Sequence, residues 1–291
     1  MKVVIGGANG LIGSELARAL RARGDEVVAL VRKPRAAGDV MWDGRSLPPG
    51  ALERADAAVN LSGANIGARR WSEEWKREIV DSRVESTRAF VDAMRGSRTR
   101  PRVFVNASAV GAYGGRGDEE LTEESTRGAD FLAGVCKESE IQALQADALG
   151  VRTVLLRTGV VLARQGGALK QMLPPFKAFV GGPLGSGKQW FPWIHIADEV
   201  AAIMRAIDSD LRGPVNLASP GIVTMKEFAR GLGKALHRPS WAPVPAAPLK
   251  ILLGEFALVL LEGQRAVPKK LIDTGFKFRF PDLEAALGDL L

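Results

Sequence analysis

The chain opens on short apolar runs that alternate with stretches in which apolar residues recur every three or four positions. "VVIG" at 3–6 is followed by a helical pattern over about 11–23, then "VVALV" at 27–31 and "DAAVNLS" at 56–62. The alternation continues through a helix over about 72–95, "RVFVNAS" at 102–108, a helix over about 130–149 and "VRTVLLRTGVVL" at 151–162. Short β-branched runs bounded by turn residues read as strands, and the three-to-four spacing reads as amphipathic helix. Strands separated by helices build a parallel sheet, because each right-handed crossover between parallel neighbours needs a connection long enough to return. The first half is therefore predicted to be α/β, a doubly wound parallel sheet.

Beyond about 163 the pattern breaks into Gly- and Pro-rich connections such as "GGPLGSGKQWFPW" at 181–193, with helices over about 197–209 and 224–236. This part is expected to form a smaller lobe over the substrate. Pro243, Pro245 and Pro248 punctuate the start of a last segment. The expected division is 1–240 for sheet and lobe and 241–291 for a short α-rich C-terminal unit closed by a helix from about 282. Within it, "AAPLKILLGEFALVLLEG" at 246–263 carries Lys250 and Glu255. It falls short of an uninterrupted span of about 18 apolar residues, so it reads as a buried amphipathic helix and not a membrane crossing.

Composition narrows the classes. The 291 residues are 46% hydrophobic, enough for a large core. The formal charge of +7 is spread among acidic neighbours, and no zinc-ligand spacing or aromatic RNA-reading motif accompanies it. A local attraction for anionic ligands is expected, and nucleic acid is not. Cys136 is the single cysteine, so no intrachain disulfide can form, which suits a reducing cytoplasm. The first strand begins at Lys2 with no room for a secretory leader, so export by that route is not expected. With only His195 and His237, a histidine metal site is not expected either.

The chemistry begins at "VVIGGANGLIGSELARAL", 3–20, where Gly7, Gly10 and Gly13 lie between a strand and a helix. Bare glycines there let a dinucleotide's pyrophosphate reach the main chain, where amides at the helix start bind it. The spacing is G-x-x-G-x-x-G, with Ala8 where G-x-G-x-x-G has its second glycine. An NAD site usually ends its second strand on a carboxylate for the ribose hydroxyls, whereas a 2′-phosphate calls for cations. This strand ends "VRKPR": Arg32 stands nineteen residues past Gly13, with Lys33 and Arg35 alongside, and no carboxylate comes before Asp39. The pattern favours NADP(H) over the plainer reading of surface charge at a strand end.

Together with "NLSG" at 60–63, "NASAVGAYG" at 106–114 and "LLRTGVVL" at 155–162, the chain resembles the extended short-chain dehydrogenase/reductase superfamily. It is similar to an atypical epimerase branch of uncertain activity, the SDR39U1-like and YfcH-like proteins. "RRWSEEWKREIVDSRVEST" at 69–87, "MLPPFKAFVGGPLGSGKQWFPWIHIADEV" at 172–200 and "VLLEGQRAVPKKLIDTGFKFRFPDLEAAL" at 259–287 carry that likeness, which runs essentially end to end. The resemblance implies a Rossmann domain in which Gly7, Asn9, Gly10, Leu11, Ile12 and Gly13 cradle the pyrophosphate and Arg32 meets the 2′-phosphate. It implies further that Leu61, Ser62 and Gly63 flank the adenosine side, that Ala107 and Ser108 face the nicotinamide, and that Thr158, Gly159 and Val160 close over it. Many relatives pair as homodimers through exposed helices; no residue pattern here carries that expectation.

Hydride transfer in this superfamily normally uses a Ser, a Tyr and a Lys four residues after the Tyr, the Lys lowering the Tyr pKa and holding the ribose. Ser108 stands for the first. In "DFLAGVCKESE" at 130–140, aligning Glu140 with the glutamate common four residues after the Lys puts Leu132 at the Tyr and Cys136 at the Lys, beside the nicotinamide ribose. Lys137 is one residue away, a turn of about 100° on a helix, and recruiting it would place Ala133 at the Tyr. The single tyrosine, Tyr113, is a candidate replacement acid or a pocket-lining residue. Glu123 and Glu124 read better as solvated residues than as acids or bases, His195 as structural, and Cys136 as a small buried group. Lys188 and Trp193, with Trp190, sit in a glycine loop suited to clamping an anionic or aromatic substrate, and Arg69 and Arg70 before Trp71 offer further cations. Two functions follow: an epimerase-like or reductase-like NADP(H) oxidoreductase of a small molecule, or a non-catalytic NADP(H) sensor.

Overall fold

The computed structural model describes residues 1–34, 36 and 38–291. Its first half runs β1 (Lys2–Gly6), α1 (Leu11–Ala22), β2 (Glu26–Val31), β3 (Val40–Met41), β4 (Ala57–Asn60), α2 (Glu73–Gly96) and β5 (Val103–Ala109). Then come β6 (Glu120–Leu121), α3 (Phe131–Leu144), β7 (Arg152–Thr158), β8 (Val160–Leu162), α4 (Gly167–Lys177), β9 (Trp190–Phe191), β10 (Trp193–His195) and α5 (Ile196–Asp208). The chain closes with β11 (Gly213–Leu217), β12 (Val223–Thr224), α6 (Met225–Leu236), α7 (Ala246–Leu253), α8 (Phe256–Leu261), β13 (Arg265–Ala266), α9 (Lys269–Asp273) and α10 (Leu283–Leu290).

Seven strands form one sheet in the order β11-β7-β5-β4-β1-β2-β3, with every neighbour parallel. Strand alternation sends Val3 and Ile5 to one face against Leu16, Leu20 and Ile203, and Val4 to the other against Phe90 and Met94. With both faces covered by helices, the strands are apolar through their middles, which is why they read as continuous runs. After β1 the order turns to β2 on one side and to β4 on the other, opening a crevice beyond the carboxyl ends of β1 and β4. Register aligns Gly6 with Asn60, and Asn60 with Asn106, along that edge. β5 passes there from fully buried Val103–Asn106 to half-buried Ala107–Ala109.

Three expectations change. The run 151–162 is not one strand: at Gly159 the amide turns to the Leu217 carbonyl, Val160 donates to Pro192, and β8 leaves the sheet to pair with β10. The third long helix stops at Leu144, and a tight turn carries the chain to Gly150 in the left-handed region. The stretch 246–263 is two helices broken at Gly254, φ +62°, and it is not buried: Ile251 and Leu252 are 72% and 71% exposed. Among the described residues no helix is long and apolar enough to cross a membrane.

The C-terminal segment is stitched to the sheet. β13 pairs with β6, α10 packs on α6, and the Asp198 carboxylate accepts from the amides of Arg279 and Phe280. Glu123, expected to be solvated, is buried and accepts from the amides of Asn216 and Lys270, so it clamps β11 to α9.

Candidate functional site

The glycine turn is set first by packing of the main chain on itself. Gly7 has φ +77°, and a Cβ there would lie 2.9 Å from the carbonyl carbon of Leu61. A Cβ on Gly13 would come within 2.3 Å of the Gly7 carbonyl oxygen, so α1 reaches this close to the turn only because position 13 is bare. The Gly10 amide donates to the same oxygen at 2.9 Å. α2, α3 and α6 receive side-chain acceptors from Ser72, Asp130 and Thr224, whereas α1 starts at Gly10 with none. The amides of Leu11, Ile12 and Gly13 thus form an uncapped helix start at the mouth of the crevice, suited to an anion. Asn9 ties this turn to the end of β2 by donating to the Lys33 carbonyl at 3.1 Å. Arg32 and Lys33 are exposed there, and no described residue pairs with either. Arg35 lies outside the described residues.

The end of β4 forms the next wall. Leu61 packs half-buried against the core, the Ser62 amide donates to Asn60 Oδ1, and Ser62 Oγ is enclosed without any partner from the protein. Gly63 is bare for a reason that the sequence did not show: a Cβ there would lie 3.1 Å from Cζ of Arg83. Beneath these residues, Asn60 Nδ2 donates to Asn106 Oδ1 at 2.9 Å, and Thr87 and Ser139 complete a buried polar cluster that joins β4 and β5 to α2 and α3. Polar residues at the ends of apolar strands were the available signal, since buried polar groups are retained where partners satisfy them.

Ser108, at the open end of β5, donates its proton to Glu140 Oε1 at 2.7 Å. Glu140 is also held by Arg157, in a two-point pairing at 2.9 Å each, and by Arg127 at 2.6 Å. Burial by itself pushes the Glu140 carboxyl up, but the bonds from Arg157, Arg127 and Ser108 win and hold it below the usual carboxylate range. Glu140 is thus a fixed anion and a poor base, and Ser108 presents lone pairs, not a proton, to whatever enters. Arg157, buried directly after the apolar run Val154–Leu156 of β7, was the overlooked clue to this network.

Several candidate residues are corrected. Tyr113 is fully enclosed: its hydroxyl donates to Asn216 Oδ1 at 2.6 Å, its ring lies under the Arg157 guanidinium, and burial raises its pKa. It has no surface with which to meet a substrate. Trp193 is 1% exposed, its indole N–H donating to the Gly221 carbonyl, so it belongs to the core, packed with Phe191, Phe228 and Leu287. Lys188 is exposed on a loop pinned by backbone bonds from Gly185 to Val244 and from Lys226 to Gly187. Trp190 is bonded to Asp118, Arg69 lies on the Trp75 ring and Arg70 against Gly254, and no contact among the described residues joins them to Lys188.

Ala107 is half-buried beside Ser108. On α3, Lys137 is exposed while Cys136 is buried, its thiol 3.9 Å from the Ala109 carbonyl and its pKa raised by burial. Thr158 turns its hydroxyl inward to Glu199 Oε1 at 3.0 Å. Gly159 is bare because a Cβ would lie 2.4 Å from the Pro192 carbonyl oxygen, and Val160 is half-buried against the cluster of Phe191 and Trp193. His195 is structural: Nδ1 caps α5 by accepting from the Ala197 amide, and the ring packs at a tilt on Phe280, centroids 3.9 Å apart.

A doubly wound parallel sheet with a glycine turn at its switch point defines a dinucleotide-binding protein of the Rossmann class. The chain belongs to the NAD dependent epimerase/dehydratase family, whose model matches residues 3–218, and a domain of unknown function (DUF1731) matches 244–290. It is 39% identical over 297 residues to human epimerase family protein SDR39U1, covering 100% of both chains. To the chloroplastic SDR39U1 homolog of Arabidopsis thaliana it is 41% identical, covering 99% of this chain and 86% of that one. The crystal structure of human SDR39U1 (isoform 2) with NADPH superposes with a TM-score of 0.92 at 37% identity, covering 100% and 99% of the two chains. A nucleoside-diphosphate sugar epimerase from Corynebacterium glutamicum matches at 0.80 and 33%, covering 100% of this chain and 58% of that one.

Proposed function

We propose that this chain binds NADP(H) along the carboxyl edge of the sheet and works as an epimerase-like or reductase-like oxidoreductase on a small molecule. The observation that carries the reading is the uncapped start of α1 at the glycine turn, tied through Asn9 to the exposed cations Arg32 and Lys33. The human relative crystallised with NADPH supports it. Leu11, Ile12 and Gly13 offer amides to the diphosphate, Arg32 a guanidinium to the 2′-phosphate, and the orphaned Ser62 Oγ a partner on the adenosine side. When bound, the nicotinamide supplies or accepts hydride. Ser108, its own proton committed to Glu140, orients a substrate by accepting from a hydroxyl or N–H. Tyr113, enclosed and bonded to Asn216, is not the proton donor to a carbonyl reduced here. The same reading places the protein in the cytoplasm, with a small molecule and not nucleic acid as its ligand.

A second reading, a cofactor-binding sensor without turnover, is favoured by Leu132 and Cys136 where the superfamily carries Tyr and Lys. Calorimetry with NADPH and NADH, on the wild type and Arg32→Ser, tests the cofactor. NADPH is expected to bind more tightly, and the variant to lose about tenfold or more of that preference. No heat with either nucleotide refutes the reading. Transfer of label from stereospecifically deuterated NADPH to a carbonyl panel separates oxidoreductase from sensor.

A further inference from the structure

The register that puts Cys136 where the superfamily carries its lysine leaves a question of charge: what replaces the cation that holds the nicotinamide ribose? Arg83, on the neighbouring helix α2, reaches back over the end of β4. Its Nη1 donates to the Ile79 carbonyl and its Nη2 to the Ala64 carbonyl, both at 3.0 Å. The head lies across Gly63, with Cζ and Nη1 3.1 and 3.3 Å from where a Cβ would stand. Gly63 is what leaves room for it. No carboxylate among the described residues pairs with this guanidinium, although Arg157 and Arg127 both have Glu140. Burial pulls the Arg83 pKa down, opposed among the described residues by the Cys136 thiol, which the guanidinium in turn draws downward. Geometry brings the two together: Lys76 lies over the Phe131 ring and Thr87 Oγ1 meets Ser139 Oγ at 3.2 Å, so α2 and α3 run side by side, and Arg83 and Cys136, one turn back from Thr87 and Ser139, look on to the same space.

A guanidinium carries five N–H donors. Two are spent on main-chain carbonyls, which orient the head without neutralising it, and the other three have no acceptor among the described residues. A half-buried cation fixed in this way is costly unless something anionic or rich in hydroxyl acceptors completes it. Cys136, whose thiol burial keeps protonated, carries no charge to do so.

We propose that Arg83 holds the ribose hydroxyls of the cofactor's nicotinamide half, supplying from α2 the cation that a lysine on α3 supplies elsewhere in the superfamily. The inference rests on the proposed NADP(H) binding. Moving the donor one helix away lets position 136 shrink to a thiol, since a lysine there would set a second positive charge against Arg83.

The test is calorimetric binding of two probes, NADPH and adenosine 2′,5′-bisphosphate, which lacks the nicotinamide ribose. Arg83→Met is expected to lose about tenfold or more in NADPH affinity and to keep its affinity for the bisphosphate, which doubles as a control for folding. Adding Cys136→Lys to Arg83→Met is expected to restore most of the loss. If methionine at 83 yields no soluble protein, Arg83→Lys, which keeps the charge but not the forked donors, is expected to show the same selectivity with a smaller loss. Unchanged NADPH affinity, or an equal loss for both probes, overturns the assignment. Wild-type protein that binds neither probe refutes the NADP(H) reading itself, which is a separate result.

Discussion

Replacing Glu199 by Gln should make the protein more stable at neutral and alkaline pH. Glu199, on α5, is 0% exposed; Oε1 accepts from Thr158 and Oε2 has no partner. Burial raises its carboxyl from 4.5 to about 8, outweighing the bond from Thr158, which acts the other way. The folded state therefore holds a proton that the unfolded chain has released between pH 4.5 and about 8. In that window the unfolded state binds fewer protons, so stability falls as pH rises, by about 1.4 kcal/mol per pH unit. The contribution is complete below 4.5 and lost by about pH 8, a total of about 5 kcal/mol, comparable to the whole stability of many domains. Glutamine keeps an acceptor for Thr158 and does not titrate. Urea unfolding of both proteins from pH 5 to 9 reads the difference directly, because every other titrating group is shared. The advantage of Glu199→Gln should be small at pH 5, grow to about 5 kcal/mol near pH 8 and then level off. A difference that stays flat across this range, or a wild type that is the more stable at pH 8, would refute the assignment of Glu199 as a buried neutral acid.

Two further substitutions probe the network around Ser108. Glu140→Gln leaves the buried Arg157 without a full counter-charge and should cost about 3–5 kcal/mol, seen as a fall of about 10 °C in the thermal midpoint at pH 7. Because the native Glu140 carboxyl lies below its ordinary value, its stabilisation is present above about pH 4.5 and lost as pH falls through the depressed value. Acid unfolding of this variant should show that component missing. Tyr113→Phe removes the bond to Asn216 and should lower stability by about 1–2 kcal/mol while leaving NADPH affinity and any hydride exchange within about twofold. Loss of exchange with unchanged stability would return Tyr113 to the chemistry.

Sequence by itself determined the sheet. The β-branched runs, the three-to-four recurrence and the glycines at 7, 10 and 13 are local patterns, and the forces that turn them into strand, helix and turn act over a few residues. What only tertiary structure decided is which polar side chains face one another. Gly63 is bare for an arginine twenty residues on, Gly159 for the Pro192 carbonyl, and Ser108 is committed to a glutamate that two arginines hold in place. Tyr113 and Trp193 have the residue types of a reactive site, yet packing encloses both. Whether such a group is solvated or buried depends on contacts distant along the chain, and that environment fixes its charge state and its reach.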